Sequence, residues 1–237
     1  TAINLHRPVL AAAGCDNAAD VLQCLRDLPP ADILAAATAT GNAAGRNNLW
    51  GPIIDGALVT TDPHTALQNE IAGSIPVIVG ATANEGGAGL SGTPPADDAA
   101  YRARLTAIFG SPSDDQIYAL YPTSDFASVE EAWVTFWGDW IFNCVAEELA
   151  RSAAGNAPAY LYQFSRGLST GSRAGLGAVH AIDVPFLFGT FDVFGHVADF
   201  DDAAVTAAMR NAWTGLAKAP TAAPPYLPSG SSSWPMF

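Results

Sequence analysis

A glutamate and a histidine have surroundings that suit acid–base chemistry. Glu85 lies just beyond residues 75–80, a continuous β-branched apolar run that is typical of a parallel strand covered on both faces. Ligands of open α/β sheets bind beyond the carboxyl ends of such strands. Gly86 and Gly87 permit a tight turn that would direct the carboxylate inward. The alternative is that Glu85 is a solvated residue of a turn.

His180 is the candidate base. It follows the glycine-rich residues 175–177 and precedes the apolar residues 185–188, so it can lie on a loop that enters a site. An imidazole there could act as a general base. The alternative is a structural histidine. The remaining histidines occupy weaker contexts and are interpreted as surface or core residues, namely His6, His64 and His196.

One stretch matches a hydrolase nucleophile motif literally. Residues 167–171 fit the pattern G-x-S-x-G and follow an apolar segment that predicts a strand. The glycine-rich residues after them do not predict the helix that a nucleophile elbow requires. Ser169 also comes after the candidate acid, whereas α/β hydrolases place the serine first. We therefore interpret the match at Ser169 as a coincidence.

The elements that would position these residues alternate between strand and helix. Residues 75–80 and 159–164 predict two strands, and Ser128 with Glu131 forms a capping-box pattern that opens a long helix. The apolar stripe of that helix, which we interpret as core, consists of Trp133, Trp137, Ile141, Val145 and Leu149. Other helices are predicted over residues 16–28, 31–37, 67–72, 97–109, 114–120 and 202–218, and loops over 41–52, 167–177 and 221–233. This alternation predicts an α/β architecture in one domain, or part of one.

Composition argues against several classes of function. The 237 residues carry 10 Lys and Arg against 23 Asp and Glu, a net charge of −13, which argues against nucleic acid or an anionic membrane surface as a partner. Hydrophobic residues make up 49%, enough for a sizeable core, yet no window reaches the ~18 consecutive apolar residues of a membrane span. The sequence contains no dinucleotide fingerprint, P-loop or metal-ligand spacing, so we expect no cofactor and no metal.

The three cysteines leave a choice open. If residues 15–24 formed one helix, steps of about 1.5 Å would place Cys15 and Cys24 about 13 Å apart, too far for a disulfide. A bridge therefore requires Cys15 to lie in a loop that folds back beside the helix. The alternative is two unrelated buried thiols. Cys144 is either a buried thiol or paired with something outside this chain.

Several of these segments carry a family resemblance. Asn84, Glu85 and Gly86 after the 75–80 strand are similar to the acid segment, and residues 177–189 to the histidine segment, of the type-B carboxylesterase/cholinesterase family, with Asp183 where a glutamate is usual. Further matches follow in the family's order, at residues 52–56, 159–164, 212–217 and 234–235. The resemblance covers the whole chain. It extends to the spacing of Cys15 and Cys24, which resembles the family's small disulfide loop and implies that bridge.

The resemblance implies an α/β-hydrolase fold, here the carboxyl-terminal part of a mostly parallel sheet flanked by helices. It also implies ester hydrolysis by a Ser–His–Glu triad, with Glu85 as the acid and His180 as the base, about 2.6–3.2 Å apart. The family's serine elbow and oxyanion loop precede the acid segment, so the serine would come before Thr1. We therefore expect residues 1–237 to be the carboxyl-terminal part of a single domain, with the nucleophile-bearing amino-terminal part as a partner outside this chain.

The expected substrate is a small-molecule carboxylic ester. Where choline-ester members of the family carry aromatic residues after the acid, residues 86–89 are glycine and alanine, which favours an open pocket for a general ester. A Cys15–Cys24 bridge would imply an oxidising compartment, and hence a secreted or periplasmic protein. The alternatives are a non-catalytic cholinesterase-like binding domain and a structural fragment without activity. Because a binding domain needs neither residue, the presence of both Glu85 and His180 argues against it.

Overall fold

The chain forms two compact units, Thr1–Asp62 and Pro63–Phe237. The computed structural model describes residues 2–43, 52–69, 75–155 and 157–220. Among these described residues, no helix is both long and apolar enough to cross a membrane.

Three helices form the first unit: α1 (Ala2–Ala12), α2 (Val21–Asp27) and α3 (Pro30–Ala43). Val9 of α1 packs against Ala36 and Ala37 of α3. Helix α1 was not expected from the sequence, because it contains Pro8, a residue that removes a helical hydrogen bond when it lies inside a helix. Helix α3 continues to Ala43 instead of ending at residue 37, although its last turns contain Gly41 and Asn42, which are weak helix formers.

A disulfide joins Cys15 and Cys24, with 5.8 Å between their Cα atoms. Asp20 caps the amino-terminal end of α2, so the helix begins after Cys15 and is shorter than the predicted 16–28. Cys15 thus lies in the connection before the helix, which is the arrangement that a bridge requires. The pairing implied by the family resemblance is confirmed.

The second unit is built on two parallel strands, β1 (Val77–Thr82) and β2 (Ala159–Phe164). They pair from Val77 opposite Ala159 to Thr82 opposite Phe164. The helices of this unit are α4 (Pro63–Gln68), α5 (Asp98–Phe109), α6 (Ser113–Leu120), α7 (Val129–Gly138), α8 (Cys144–Ala154), α9 (Asp183–Phe188) and α10 (Phe200–Lys218), with a π-helical turn at Asp139–Asn143. Helix α8 packs against both strands and covers part of the sheet. Both predicted strands are confirmed.

Strand β1 is less buried than its sequence predicts. Val77–Gly80 are only half-buried, and the strand becomes fully buried at Ala81 and Thr82. A continuous apolar run is typical of a strand covered on both faces. Among the described residues the sheet has only two strands, whereas sheets generally need three or more for independent stability. The described residues therefore leave part of β1 uncovered, although its sequence is suited to burial.

Capping residues set the start of two helices. The Ser128 hydroxyl accepts a hydrogen bond from the Glu131 N–H at 3.1 Å, as predicted for α7. The Glu131 carboxylate accepts from the Ala127 N–H at 2.8 Å, one residue earlier than a standard capping box. In α10, Asp199 and Asp202 form a complete capping box, so this helix begins slightly before the predicted residue 202.

The long helix predicted from Ser128 is interrupted after Gly138. The π turn inserts extra backbone between α7 and α8, which shifts the side of the helix that faces the core. Trp133 is buried as predicted, but Val145 is 45% exposed, so its assignment to the core is wrong. The buried positions of α8 are Ala146, Ala150 and Ala153.

The other predicted elements vary in their boundaries. Helices α5 and α6 agree with the prediction, whereas α4 begins before the predicted residue 67, and residues 70–72 lie outside the described part. Residues 41–43 of the predicted 41–52 loop belong to α3. Residues 44–51 and the whole predicted loop 221–233 lie outside the described part of the chain. Helix α9 occupies an apolar segment for which no helix was predicted.

Candidate active site

The turn after β1 carries the candidate acid. Glu85 is 4% exposed, and its Oε1 accepts a hydrogen bond from the Thr82 N–H at 2.7 Å. The Gly87 N–H donates to the Asn84 carbonyl at 2.9 Å and closes the turn. This burial excludes the alternative that Glu85 is a solvated turn residue. The backbone bond leaves Oε2 as the oxygen available to a second partner.

Helix α7 passes so close to this turn that two glycines are required. A Cβ on Gly86 would collide with the Val134 carbonyl oxygen. A Cβ on Gly138 would lie 3.0 Å from the Gly86 nitrogen and 3.3 Å from the Glu85 Cβ. The sequence suggested a conformational role for Gly86, and the structure adds close backbone approach as the reason for glycine. This packing contributes to the burial of Glu85.

The segment that carries the candidate base runs beside the acid turn. Ala178 and Val179 are buried in a cluster with residues of β2, α9 and α10, and Val179 forms a parallel bridge with Asn84. The chain is therefore anchored immediately before His180, whose side chain stays 45% exposed. Ala181 has a φ of +64°, which costs a non-glycine residue about 1 kcal/mol or more. Backbone strain of this kind clusters at functional sites.

The two candidate residues are in direct contact. Nδ1 of His180 lies 2.6 Å from Oε2 of Glu85, at the short end of the predicted range. A carboxylate can only accept, so Nδ1 carries the proton and Nε2 is left with a free lone pair. Among the described residues, none hydrogen-bonds Nε2, and no lysine or arginine forms an ion pair with Glu85. The pair can hold the imidazole in one tautomer and stabilise it once it takes a proton.

The π turn contributes a third residue to the site. It places Phe142 against the imidazole of His180, with ring centroids 4.7 Å apart and planes inclined at 42°. Sequence reasoning missed Phe142, because a regular helix was expected there and no local signal marks a π turn. Single π turns inside helices are frequent at functional sites.

Asp183 supports the same segment. Its Oδ2 accepts a hydrogen bond from the Tyr162 hydroxyl at 2.8 Å. Burial, and then the neighbouring Asp183 carboxylate, hold the pKa of Tyr162 well above its ordinary value. The phenol is therefore protonated and donates. This bond ties β2 to the first turn of α9, just after His180.

The literal nucleophile motif does not form an elbow. Ser169 is exposed, and residues 169–182, all of which are described, contain turns but no helix. Cys144, the first residue of α8, forms no disulfide within the described residues and is exposed, so the buried-thiol alternative for it is wrong.

A second histidine–carboxylate pair lies at the start of α10. Nε2 of His196 is 2.8 Å from Oδ2 of Asp202, and both side chains are fully buried. The Thr170 hydroxyl and N–H face Nδ1 of His196 at 2.8 and 3.3 Å, and Arg166 Nε donates to the other Asp202 oxygen at 2.5 Å. Burial raises the pKa of Asp202, but hydrogen bonds from the Asp199 N–H, His196 and Arg166 outweigh it and lower the pKa to about 2. His196 is thus a core residue, one of the two roles expected for it.

Comparisons with known proteins show what the chain is similar to. The model of the Carboxylesterase family matches residues 2–237. The solved structure of a thermophilic PNB esterase superposes with a TM-score of 0.76 at 22% identity, over 99% of this chain and 47% of that one. Fumonisin B1 esterase of Sphingopyxis macrogoltabida is 31% identical over 176 residues, 70% of this chain and 32% of that protein. The inactive carboxylesterase-like protein VdtD of Byssochlamys spectabilis is 25% identical over 227 residues, which cover 84% of this chain and 39% of that protein.

The fold is that of an α/β hydrolase, of which the described part of the chain contains two parallel strands and their flanking helices. The chain belongs to the carboxylesterase family. It spans about a third of the length of the curated relatives it matches.

Proposed function

We propose that this chain supplies the acid and the base of a serine carboxylesterase. The observation that carries the proposal is the 2.6 Å contact between His180 Nδ1 and Glu85 Oε2, found in a member of the carboxylesterase family. The buried carboxylate is held by a backbone N–H, and the exposed imidazole keeps Nε2 open. This is the arrangement that a general base requires.

In the proposed reaction a serine hydroxyl attacks the ester carbonyl while Nε2 of His180 removes its proton. The imidazolium then gives that proton to the leaving alkoxide, which departs as the alcohol and leaves an acyl-serine. Water then gives a proton to the same nitrogen and attacks the acyl-serine, and the serine oxygen leaves as it takes that proton back, which releases the carboxylic acid. Glu85 stays ionised throughout, and the Thr82 N–H keeps its carboxylate from rotating away.

The serine and the oxyanion donors belong, in this proposal, to an amino-terminal part of the same protein. Two observations support this assignment. Val77–Gly80 of β1 are only half-buried although their sequence is suited to complete cover, and the chain matches only 47% of the esterase structure. An amino-terminal part would cover β1 and bring the nucleophile to His180. Residues 1–237 would then be the carboxyl-terminal part of a single hydrolase domain.

The proposed substrate is a small carboxylic ester, and the proposed compartment is oxidising. A Cβ on Gly89 would meet no atom within 4 Å, so the small residues after the acid leave open space at that position. The Cys15–Cys24 disulfide is typical of secreted or periplasmic proteins. Titration of thiols in the denatured protein, isolated without reductant, tests the second point: one reactive thiol supports it, and three contradict it.

A non-catalytic binding domain is the second candidate, favoured by the similarity to a protein named as an inactive carboxylesterase-like protein. Labelling with a fluorophosphonate separates the two candidates. The longest natural polypeptide that contains this chain is treated with the probe, digested and examined by mass spectrometry.

Labelling of a serine upstream of Thr1, unchanged by Ser169→Ala, is the expected result. It must also disappear in the His180→Gln variant. Labelling of Ser169 would overturn the assignment of the nucleophile. No labelling, together with no hydrolysis of short aryl esters, would favour the binding domain.

A further inference from the structure

We propose that Asn84 is a positioning residue that fixes the acid turn against the histidine segment. The inference deepens the proposed function and rests on it. Asn84 precedes Glu85, and its hydrogen-bond partner Ala178 precedes His180 by two residues. A residue that binds both segments here determines how the two functional side chains meet.

Three groups of Asn84 form hydrogen bonds with the two segments. Its N–H donates to the Ala178 carbonyl at 2.9 Å, and its Oδ1 accepts from the Ala178 N–H at 3.0 Å. Its own carbonyl accepts from the Gly87 N–H at 2.9 Å and closes the turn that carries Glu85. The side chain thereby completes a two-point contact with one residue of the opposite segment, which resists both sliding and rotation.

The surroundings leave the Ala178 N–H no substitute. Ala178 is completely buried, so without Oδ1 its N–H would be a buried donor with no partner. Gly177 has a φ of +75°, and a Cβ there would lie 2.5 Å from the Asn84 Oδ1. The glycine before Ala178 is therefore required both by its backbone conformation and by the approach of the Asn84 side chain.

The contact acts on the chemistry through Glu85 and His180. Loss of Oδ1 would free the histidine segment to shift relative to the acid turn. A displacement of about 1 Å at reacting groups can cost about 10²-fold in rate. Because Asn84 works through the acid–base pair, the expected loss falls on kcat, with KM preserved.

The test uses the longest natural polypeptide that contains this chain, with Asn84→Ala, Asn84→Asp and the control Asn211→Ala. Asn84→Asp keeps an acceptor oxygen in the same place, and Asn211 is an exposed asparagine of α10. Three properties are measured: hydrogen exchange of the Ala178 amide, the NMR signal of the His180 Nδ1 proton, and kcat and KM on a short aryl ester.

For Asn84→Ala we expect at least about 10-fold faster exchange at Ala178, a shifted or lost Nδ1 proton signal, and kcat lower by about 10- to 100-fold with KM within about two-fold. Asn84→Asp should retain the exchange protection and the Nδ1 signal, and Asn211→Ala should match the wild type. If Asn84→Ala does not fold, Asn84→Ser is used, because its hydroxyl is too short to reach Ala178.

An unchanged Nδ1 signal and unchanged kcat in a folded Asn84→Ala or Asn84→Ser variant would overturn the inference. A lost Nδ1 signal in Asn84→Asp would overturn it as well. The two proposals fail differently. If the wild type hydrolyses no ester but Asn84→Ala still loses the Nδ1 signal, the positioning role stands and the proposed function fails. If the wild type is active and Asn84→Ala is equally active, the reverse holds.

Discussion

Two histidine–carboxylate pairs in this chain have similar contacts and opposite surroundings. In one, Glu85 binds Nδ1 of His180 at 2.6 Å, and the imidazole is 45% exposed. In the other, Asp202 binds Nε2 of His196 at 2.8 Å, and the imidazole is completely buried. The contact distance alone therefore does not identify a catalytic pair.

The two pairs differ in whether the second ring nitrogen of the histidine has a partner and in whether a cation lies beside the carboxylate. Thr170 occupies the second nitrogen of His196 with its hydroxyl and its N–H, so this imidazole has no open lone pair for a substrate. Arg166 already neutralises the charge of Asp202, so that carboxylate would stabilise an imidazolium only weakly. Among the described residues, Glu85 faces no such cation and His180 keeps Nε2 open. The same two functional groups thus form the pair that we propose as the catalytic base in one place and a buried structural contact in the other.

The largest effect expected from this contrast is on turnover. His180→Gln removes the base and should lower kcat of the active protein by about 10⁶-fold, and Glu85→Gln, which disturbs the tautomer, by about 10⁴-fold. The free energy of unfolding should change far less. Steady-state kinetics on a short aryl ester, beside urea unfolding, measures both quantities.

Glu130→Gln is the matched control, because Glu130 is an exposed glutamate in the first turn of α7. It should leave kcat unchanged. A His180→Gln protein that keeps a tenth of the wild-type kcat would show that the exposed pair is not the catalytic one.

The second effect is on stability. Asp202→Asn leaves the Arg166 guanidinium without its buried partner and weakens the bond to His196, so we expect a loss of about 3 kcal/mol in the free energy of unfolding. Turnover per folded molecule should stay the same. Asp201→Asn removes the same charge from the exposed neighbouring position and should change stability by less than about 0.5 kcal/mol. Urea unfolding measures both variants, and equal losses would mean that burial of Asp202 is unimportant.

The sequence predicted the elements that local patterns specify. Residues 75–80, a continuous apolar run that is characteristic of parallel strands, correspond to β1, and residues 159–164, which alternate in character, correspond to β2. The contact between Glu85 and His180 joins residues 95 positions apart, so spacing could not predict it. It became predictable only through the family resemblance, which supplied the order of the acid and histidine segments.

What could not be predicted depends on packing between distant segments. The π turn at Asp139–Asn143 comes directly after Gly138, which lies close to the acid turn, and nothing in the local sequence distinguishes it from a regular helix. Phe142 was missed for that reason. His196 and Asp202 are only six positions apart, but this spacing predicts a contact only when it is known that α10 begins between them. Tertiary context decided both cases.

The third effect is an acid-dependent loss of stability in the buried pair. The pKa of Asp202 is about 2 in the folded protein against an ordinary 3.8, so its ionised form is favoured by folding. This contribution is complete above the unfolded pKa and is lost as pH falls from about 4 to about 2. It amounts to about 2 kcal/mol. Urea unfolding of the wild type and Asp202→Asn at pH 5, 4, 3 and 2 should show their stability difference shrinking. A difference that stays constant would contradict the assignment.

The smallest effect concerns the hydroxyl that occupies the second nitrogen of His196. Thr170 Oγ1 accepts from the Val197 N–H at 3.0 Å and faces His196 Nδ1 at 2.8 Å, so its hydroxyl proton is directed to the ring. Thr170→Val keeps the shape but removes both bonds, and we expect a loss of about 1 kcal/mol in the free energy of unfolding. Thr170→Ser should recover most of it. Because the buried pair is structural, kcat per folded molecule should be equal in all three proteins, as measured with an active-site titration. A Thr170→Val protein that loses kcat as strongly as Glu85→Gln would make the buried pair part of the catalytic machinery.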